Sequence, residues 1–305
     1  MKKKTIASSL VVTFAMCSLL TVLVPFTVFG KTENNHSYLC TIDAERTDFE
    51  NGEYWLQKIT YENGATTVIN EADTFTFLMI NSNFIPNVDI RIENGHSLVP
   101  IRLITEELGG QVNWDAKKSA EILYQNKKMT LTAGDKHAVI DGKTVVLPVA
   151  AKILENKLYV PLRPVADAFH MDVSYNSGIM PLDNPLISID TREKNVTREE
   201  AVQIARAAME KAYSTFLKND TYVNGSDTAN KVLAEIRQKI ESIEYQDESA
   251  GYWILSGPYK ILVDKSTGEL FFKVGQSHVG GSYVESMYRV DENDRNIFVG
   301  GYFAG

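Results

Sequence analysis

Two stretches of this 305-residue chain spell nearly the same pattern 61 positions apart: Val99-Pro-Ile-Arg-Leu-Ile-Thr-Glu-Glu-Leu-Gly-Gly-Gln-Val-Asn-Trp-Asp115 and Val160-Pro-Leu-Arg-Pro-Val-Ala-Asp-Ala-Phe-His-Met-Asp-Val-Ser-Tyr-Asn176. Val, Pro and Arg recur at 99/160, 100/161 and 102/163, Val recurs at 112/173, and apolar or aromatic residues match at most intervening core positions. An internal repeat implies one supersecondary unit used twice, each copy covering apolar surface that the other cannot bury alone. The expected architecture is α+β: a duplicated β-hairpin/helix/strand module, followed by a helix-plus-antiparallel-sheet domain.

Periodicity sets the elements of each copy. Ile101, Ile104 and Leu108 share one helical face, and Leu162, Val165 and Phe169 do so at the same offsets. Pro100 and Pro161 suit a first helical turn, where an N–H would be unpaired anyway. Gly109-Gly110 stops the first helix, while His170-Met171 is a weaker stop for the second. Val112–Trp114 and Val173–Tyr175 then read as strands of period two. Each copy is entered through Glu-Asn, at 93/94 and 155/156, and a short strand ending in Val-Pro. Phe75–Ile80 reads as a buried strand, and Asp141-Gly142 as the turn of a hairpin.

The N-terminus bounds the compartment. Lys2-Lys3-Lys4, an apolar run from Ile6 to Phe29 and the small Gly30 read as a secretory signal over residues 1–30, with an uncleaved membrane anchor as the alternative. That segment holds three of the 31 Lys+Arg and none of the 39 Asp+Glu, so the remainder has 28 basic against 39 acidic residues, a net −11. Such a balance argues against a nucleic-acid or anionic-membrane partner. Cys17 lies in the signal, which leaves Cys40 as the one remaining thiol, expected in a poorly ordered leader. With no intramolecular disulfide, stability must come from the core.

Residues 31–72 read as a linker to about residue 50, then a hairpin over Glu53–Ile69 turned at Asn63-Gly64. The module occupies 73–190. Gly178, Pro181 and Pro185 mark a boundary over 177–195, and a second domain runs over 196–305. There Thr197 and Glu200 form a capping box, opening a helix with Ala201, Ile204, Ala205, Ala208 and Met209 on one face. A second helix over Val232–Ile243 and strands at Tyr252–Leu255, Tyr259–Asp264, Glu269–Val274, Tyr283–Val290 and Ile297–Phe303 complete an α+β order.

The pattern Glu93-Asn-Gly-x-x-Leu-Val-Pro-Ile-Arg102, then Leu108-Gly-Gly-x-Val-x-Trp-Asp115, with its copy at 155–176, resembles the copper amine oxidase-like N-terminal domain of secreted Gram-positive bacterial proteins. The resemblance implies a non-catalytic accessory domain. The oxidase chemistry itself needs a Tyr in an Asn-Tyr-[Asp/Glu] context and a three-His copper site. The chain contains no such tripeptide, and His36, His96, His137, His170 and His278 stand alone. No catalytic residue, metal or cofactor is therefore expected. Residues 196–305 are similar to PepSY-type domains in Thr197-Arg-Glu-Glu-Ala-Val-x-Ile-Ala205 and Tyr259–Asp264, which implies a unit restraining a peptidase; a generic cystatin-like helix-on-sheet fold is the other reading.

Four residues stand out as ligand-binding or structural. Arg102 and Arg163 occupy the same place in both copies, in a first helical turn where a cation opposes the macrodipole. A partly buried ion pair locking each repeat is the structural reading; a ligand carboxylate or phosphate is the functional one. Trp114 and Tyr175 fill the core on the structural reading and form a glycan platform on the other. The expected protein is a secreted or cell-surface, non-enzymatic envelope protein that binds a wall polymer or an envelope protein. The alternative is a regulator of a secreted peptidase acting through 196–305.

Overall fold

The computed structural model describes residues 38–48, 53–69, 75–115, 118–180, 183–219, 227–277 and 282–290. The signal segment, most of the polar interruption after Asn219 and the strand expected at 297–303 lie outside the described residues.

Along the chain come β1 (Tyr38–Asp48), β2 (Glu53–Tyr61), β3 (Thr66–Ile69), β4 (Phe77–Ile80) and β5 (Asn83–Phe84). Next are β6 (Arg91–Glu93), β7 (His96–Pro100), α1 (Ile101–Glu107) and β8 (Gln111–Trp114), then β9 (Ser119–Tyr124), β10 (Lys127–Thr132), β11 (His137–Ile140) and β12 (Lys143–Val146). A second hairpin–helix–strand series follows as β13 (Lys152–Leu154), β14 (Lys157–Pro161), α2 (Leu162–Phe169) and β15 (Asp172–Asn176), leading to β16 (Leu186–Asp190). The rest is α3 (Arg198–Asn219), α4 (Asp227–Glu241), β17 (Glu244–Glu248), β18 (Tyr252–Ser256), β19 (Ile261–Asp264), β20 (Leu270–Ser277) and β21 (Ser282–Val290).

The strands make four sheets, in the orders β17-β18-β19-β20-β21-β1-β2-β3, β12-β11-β10-β9-β8, β13-β14-β7-β6 and β15-β16-β4-β5. In the third, β7 and β14 pair antiparallel about Val99 and Val160, with Leu98 opposite Pro161 and Pro100 opposite Tyr159. In the fourth, β16 runs parallel to β4. Helices and largely antiparallel sheets together make the protein α+β.

Burial explains the layering. β4 and β16 are buried at every position, without alternation, because both faces are covered. Leu78, Ile80, Ile187 and Ile189 face a core shared with α1, α2, Ile122 and Met129, whereas Phe77, Met79 and Leu186 face the eight-stranded sheet. Strands β18–β20 of that sheet are likewise covered on both sides. Tyr252, Ile254, Leu262 and Phe271 join the Phe77 side, and Leu255, Ile261, Val263 and Phe272 pack against Ala201, Ala205 and Met209 of α3 and Ile236 of α4. The alternation along β18–β20 thus sorts residues between two cores.

Several expectations change. Residues 38–48, read as linker, are a strand lying between β21 and β2, and Cys40 is buried in the core with Ile42 and Ile59 rather than held in a leader. The boundary over 177–195 separates nothing, since the described residues fall in one compact unit and β1–β3 complete the C-terminal sheet. The repeat turns match one residue differently: Asn94 and Gly95 take positive φ in the first hairpin, Glu155 and Asn156 in the second, so Glu155 corresponds to Asn94. Pro100 and Pro161 cap their helices in extended conformation, one position before the first turn. At Asn63-Gly64 only Gly64 has positive φ; Tyr61 N–H bonds Ala65 O at 2.9 Å, and the loop holds four residues. Asp141 and Gly142, with φ of 46° and 82°, make the tight two-residue turn expected. α4 begins at Asp227, five residues before the expected start, and β17 was not anticipated.

Candidate functional site

The chain enters α2 from β14 through Pro161, with no side-chain cap and no acidic residue in the first turn. The first turn therefore offers Arg163 no carboxylate; the acidic residue of this helix is the exposed Asp167, one turn further on. Arg163 is exposed and makes no ion pair or hydrogen bond among the described residues. It lines a groove of about 330 Å³ enclosed by the start of α2, the β6–β7 hairpin and β15, together with Tyr175, Ile92, His96, Pro161 and Pro164. No lining residue is acidic. In a chain with an excess of carboxylates, that leaves one cation beside a half-exposed aromatic ring and an apolar rim.

Two of the four sequence candidates thus meet in one place, and neither plays its expected structural part. Arg163 forms no buried ion pair, and Tyr175 is 55% exposed. Arg102 lies outside this groove. Among the described residues its one ion pair is with Glu106 of its own helix, at 3.9 Å between two exposed side chains, an arrangement worth little. Trp114 is 39% exposed and does not fill the core. The reason is common to both aromatics: β8 and β15 are edge strands, so their inner faces run out beyond the helices that cover them. His96 and Ile92 complete the groove. Sequence alone gave no signal for them, because the hairpin turn brings them there.

A second polar constellation escaped the sequence altogether. Asp190 and Asp264, both buried, converge on Arg192. Arg192 Nη2 donates to Asp190 Oδ2 at 2.6 Å, to Ser82 Oγ at 2.7 Å and to Asp264 Oδ2 at 3.0 Å. The Ser82 hydroxyl donates to Asp264 Oδ2, and the Ser266 and Thr267 N–H groups donate to Asp264 Oδ1 at 2.7 and 3.0 Å. Burial pushes the Asp264 carboxyl up, but those donors and the Arg192 charge outweigh it and hold it below the ordinary carboxylate range. Gly251 makes room, because a Cβ there would lie 2.6 Å from Asp190 Oδ2. The fully buried Tyr252 hydroxyl, beside Ser82, is pushed well up by burial. Both carboxylates are locked by these hydrogen bonds and Asp264 is held in its ionised form, the opposite of what acid/base work needs. The cluster ties Ser82 and β16 to β19.

Among the described residues, no group of three or more His, Cys, Asp or Glu side chains could hold a metal ion. No helix among them is long and apolar enough to cross a membrane.

The groove and the paired hairpins lie within a segment of known kind: residues 79–179 match the copper amine oxidase N-terminal domain family, which is a non-catalytic domain of those enzymes. The match stops short of α3, α4 and the C-terminal strands. No curated protein matches the chain.

Proposed function

We propose that this is a secreted, non-enzymatic cell-envelope protein that binds a wall polymer through the groove at the start of α2. The observation carrying the reading is Arg163, without an ion pair to a carboxylate among the described residues, set beside Tyr175 in a groove with no acidic lining. A guanidinium recognises an oxyanion through paired N–H groups, and an exposed aromatic face covers the C–H face of a sugar ring. We further read residues 73–190 as one unit used twice. Its support is the same element order at Arg91–Trp114 and Lys152–Asn176, and the pairing of equivalent strands about Val99 and Val160. The signal-like N-terminus supports export, and a membrane contact would require that segment to stay uncleaved. Regulation of a secreted peptidase through 196–305 rests on a resemblance that the family match does not cover.

The test is cosedimentation of residues 31–305, which contain the described unit, with isolated Gram-positive cell wall at physiological salt. The wild type is expected to pellet, and the R163Q/Y175A variant to bind roughly tenfold more weakly, a loss of about 1.4 kcal/mol. A wild type that stays in the supernatant overturns the reading.

A further inference from the structure

Three side chains that line the groove have counterparts at matching positions on the other copy of the unit. In the groove, Ile92 comes from the β6–β7 hairpin, while Arg163 and Tyr175 come from α2 and β15. Adding 61 to Ile92 gives Ile153 on β13, and subtracting 61 from the other two gives Arg102 and Trp114. All six side chains are exposed: Ile153 by 40% and Trp114 by 39%, against 60% for Ile92 and 55% for Tyr175. The packing is exchanged in the same way. α2 lies on β7 and β15, and α1 lies on β14 and β8. The β7–β14 pairing about Val99 and Val160 is the local two-fold that relates the two sets. Core requirements explain repetition of the buried positions. They do not explain why an exposed Ile, an exposed Arg and an exposed aromatic recur at matching places.

Resting on the wall-binding reading above, we propose that Arg102, Trp114 and Ile153 form a second binding site, and that the two sites together grip one linear, carboxylate-bearing polysaccharide. A repeating polymer is the occupant that two like sites on one compact unit can engage at once, which raises avidity without any new contact. Charge selects its chemistry. Each site offers a single guanidinium in a chain of net charge −8, which matches one carboxylate per sugar rather than a dense phosphate backbone. The sites are unequal. Arg102 has Glu106 within 3.9 Å, a competitor that a ligand carboxylate must displace, whereas Arg163 makes no ion pair among the described residues.

The experiment measures binding of residues 31–305 to polygalacturonate, to its carboxyl-reduced form, to poly(glycerol phosphate) and to isolated wall. The R102Q/W114A variant should bind polygalacturonate at least about tenfold more weakly than wild type, the effect of losing one of two linked sites. E106Q should bind it more tightly, a gain that no folding defect can produce. Carboxyl reduction of the polymer should abolish both differences. Wall and polygalacturonate binding unchanged in R102Q/W114A would overturn the second site and leave the groove standing. Equal binding of the reduced polymer, preference for poly(glycerol phosphate), or wall binding without polygalacturonate binding would overturn the acidic-sugar assignment alone. Failure of the wild type to bind wall would remove the parent reading and this one with it.

Discussion

Asp264 shows how much one side chain can hold. Its carboxylate is buried on β19, yet it stays ionised because Ser82, two backbone N–H groups and Arg192 all point at it. A carboxyl held below its unfolded value, about 3.9, contributes stability that is fully present above that pH and is lost as pH falls through the lower folded value. Urea unfolding of residues 31–305 should therefore show a midpoint that drops on going from about pH 6 to about pH 3. In D264N that drop should be smaller. Arg192→Met leaves buried Asp264 without its cation and Asp190 with Lys194 alone, 3.7 Å away, and should cost about 3–5 kcal/mol at neutral pH. An unchanged urea midpoint in Arg192→Met would mean that the cluster is not the lock it looks like. None of this was legible in sequence. Asp190, Arg192, Ser82 and Asp264 meet only because β16 and β19 lie in sheets packed face to face, and the turn after β19 was readable only as a turn.

At the scale of elements, the two short helices were legible because their core faces repeat, and their ends show where the copies diverge. α1 closes with Gly109 at φ 79°, its N–H on Glu106 O at 2.9 Å, and with Gly110 N–H on Thr105 O at 2.8 Å. α2 closes the same way, with Met171 N–H on Ala166 O at 2.9 Å, but it places His170 at φ 56°. A side chain in that left-handed region costs about 1–2 kcal/mol, which glycine avoids. Lys127 offsets part of it, its ammonium lying 3.0 Å from Ala168 O at the helix end and 2.6 Å from His170 Nε2. His170→Gly is expected to stabilise the protein by about 1 kcal/mol, and Gly109→Ala to destabilise it by a similar amount. Thermal melts of the two variants should move in opposite directions; movement in the same direction would refute the account. β1 was missed for a different reason. Cys40, Ile42 and Ala44 alternate with Thr41, Asp43 and Glu45 in the period of a half-buried strand, but the polar members and the acidic surroundings gave the segment the composition of a linker. The edge strands β8 and β15 failed oppositely, since period two assigns a face and says nothing about where the cover ends.

For the whole molecule, the question is whether the segment matching a known domain is separable from the rest. Length, the repeat and the proline-rich stretch over 177–195 all suggested a cut near residue 190. The sheet order argues against it. β1, β2 and β3 lie N-terminal to the matched domain, yet β1 pairs along its length with β21, so the chain leaves the large sheet at Ile69 and returns to it at Glu244. Residues 79–179 are inserted between the two parts of that sheet, and Phe77, Met79 and Leu186 form one core with Ile42, Ile254 and Phe271. Cutting at 190 would strip β1 of β21, one of its two partners, expose the ladder of a strand from the sheet interior and open a core shared by both pieces. It would also part Asp190 from Arg192. Residues 31–305 should then unfold in a single cooperative transition, while 31–190 and 191–305 expressed separately should aggregate or lack cooperative melting. Mixing the two pieces during refolding should restore the transition, because the missing β1–β21 pairing and the shared core are then available again. A sharp melt with native-like near-ultraviolet circular dichroism from 31–190 alone would show that the matched domain carries its own stability, and that the eight-stranded sheet is an addition rather than its frame.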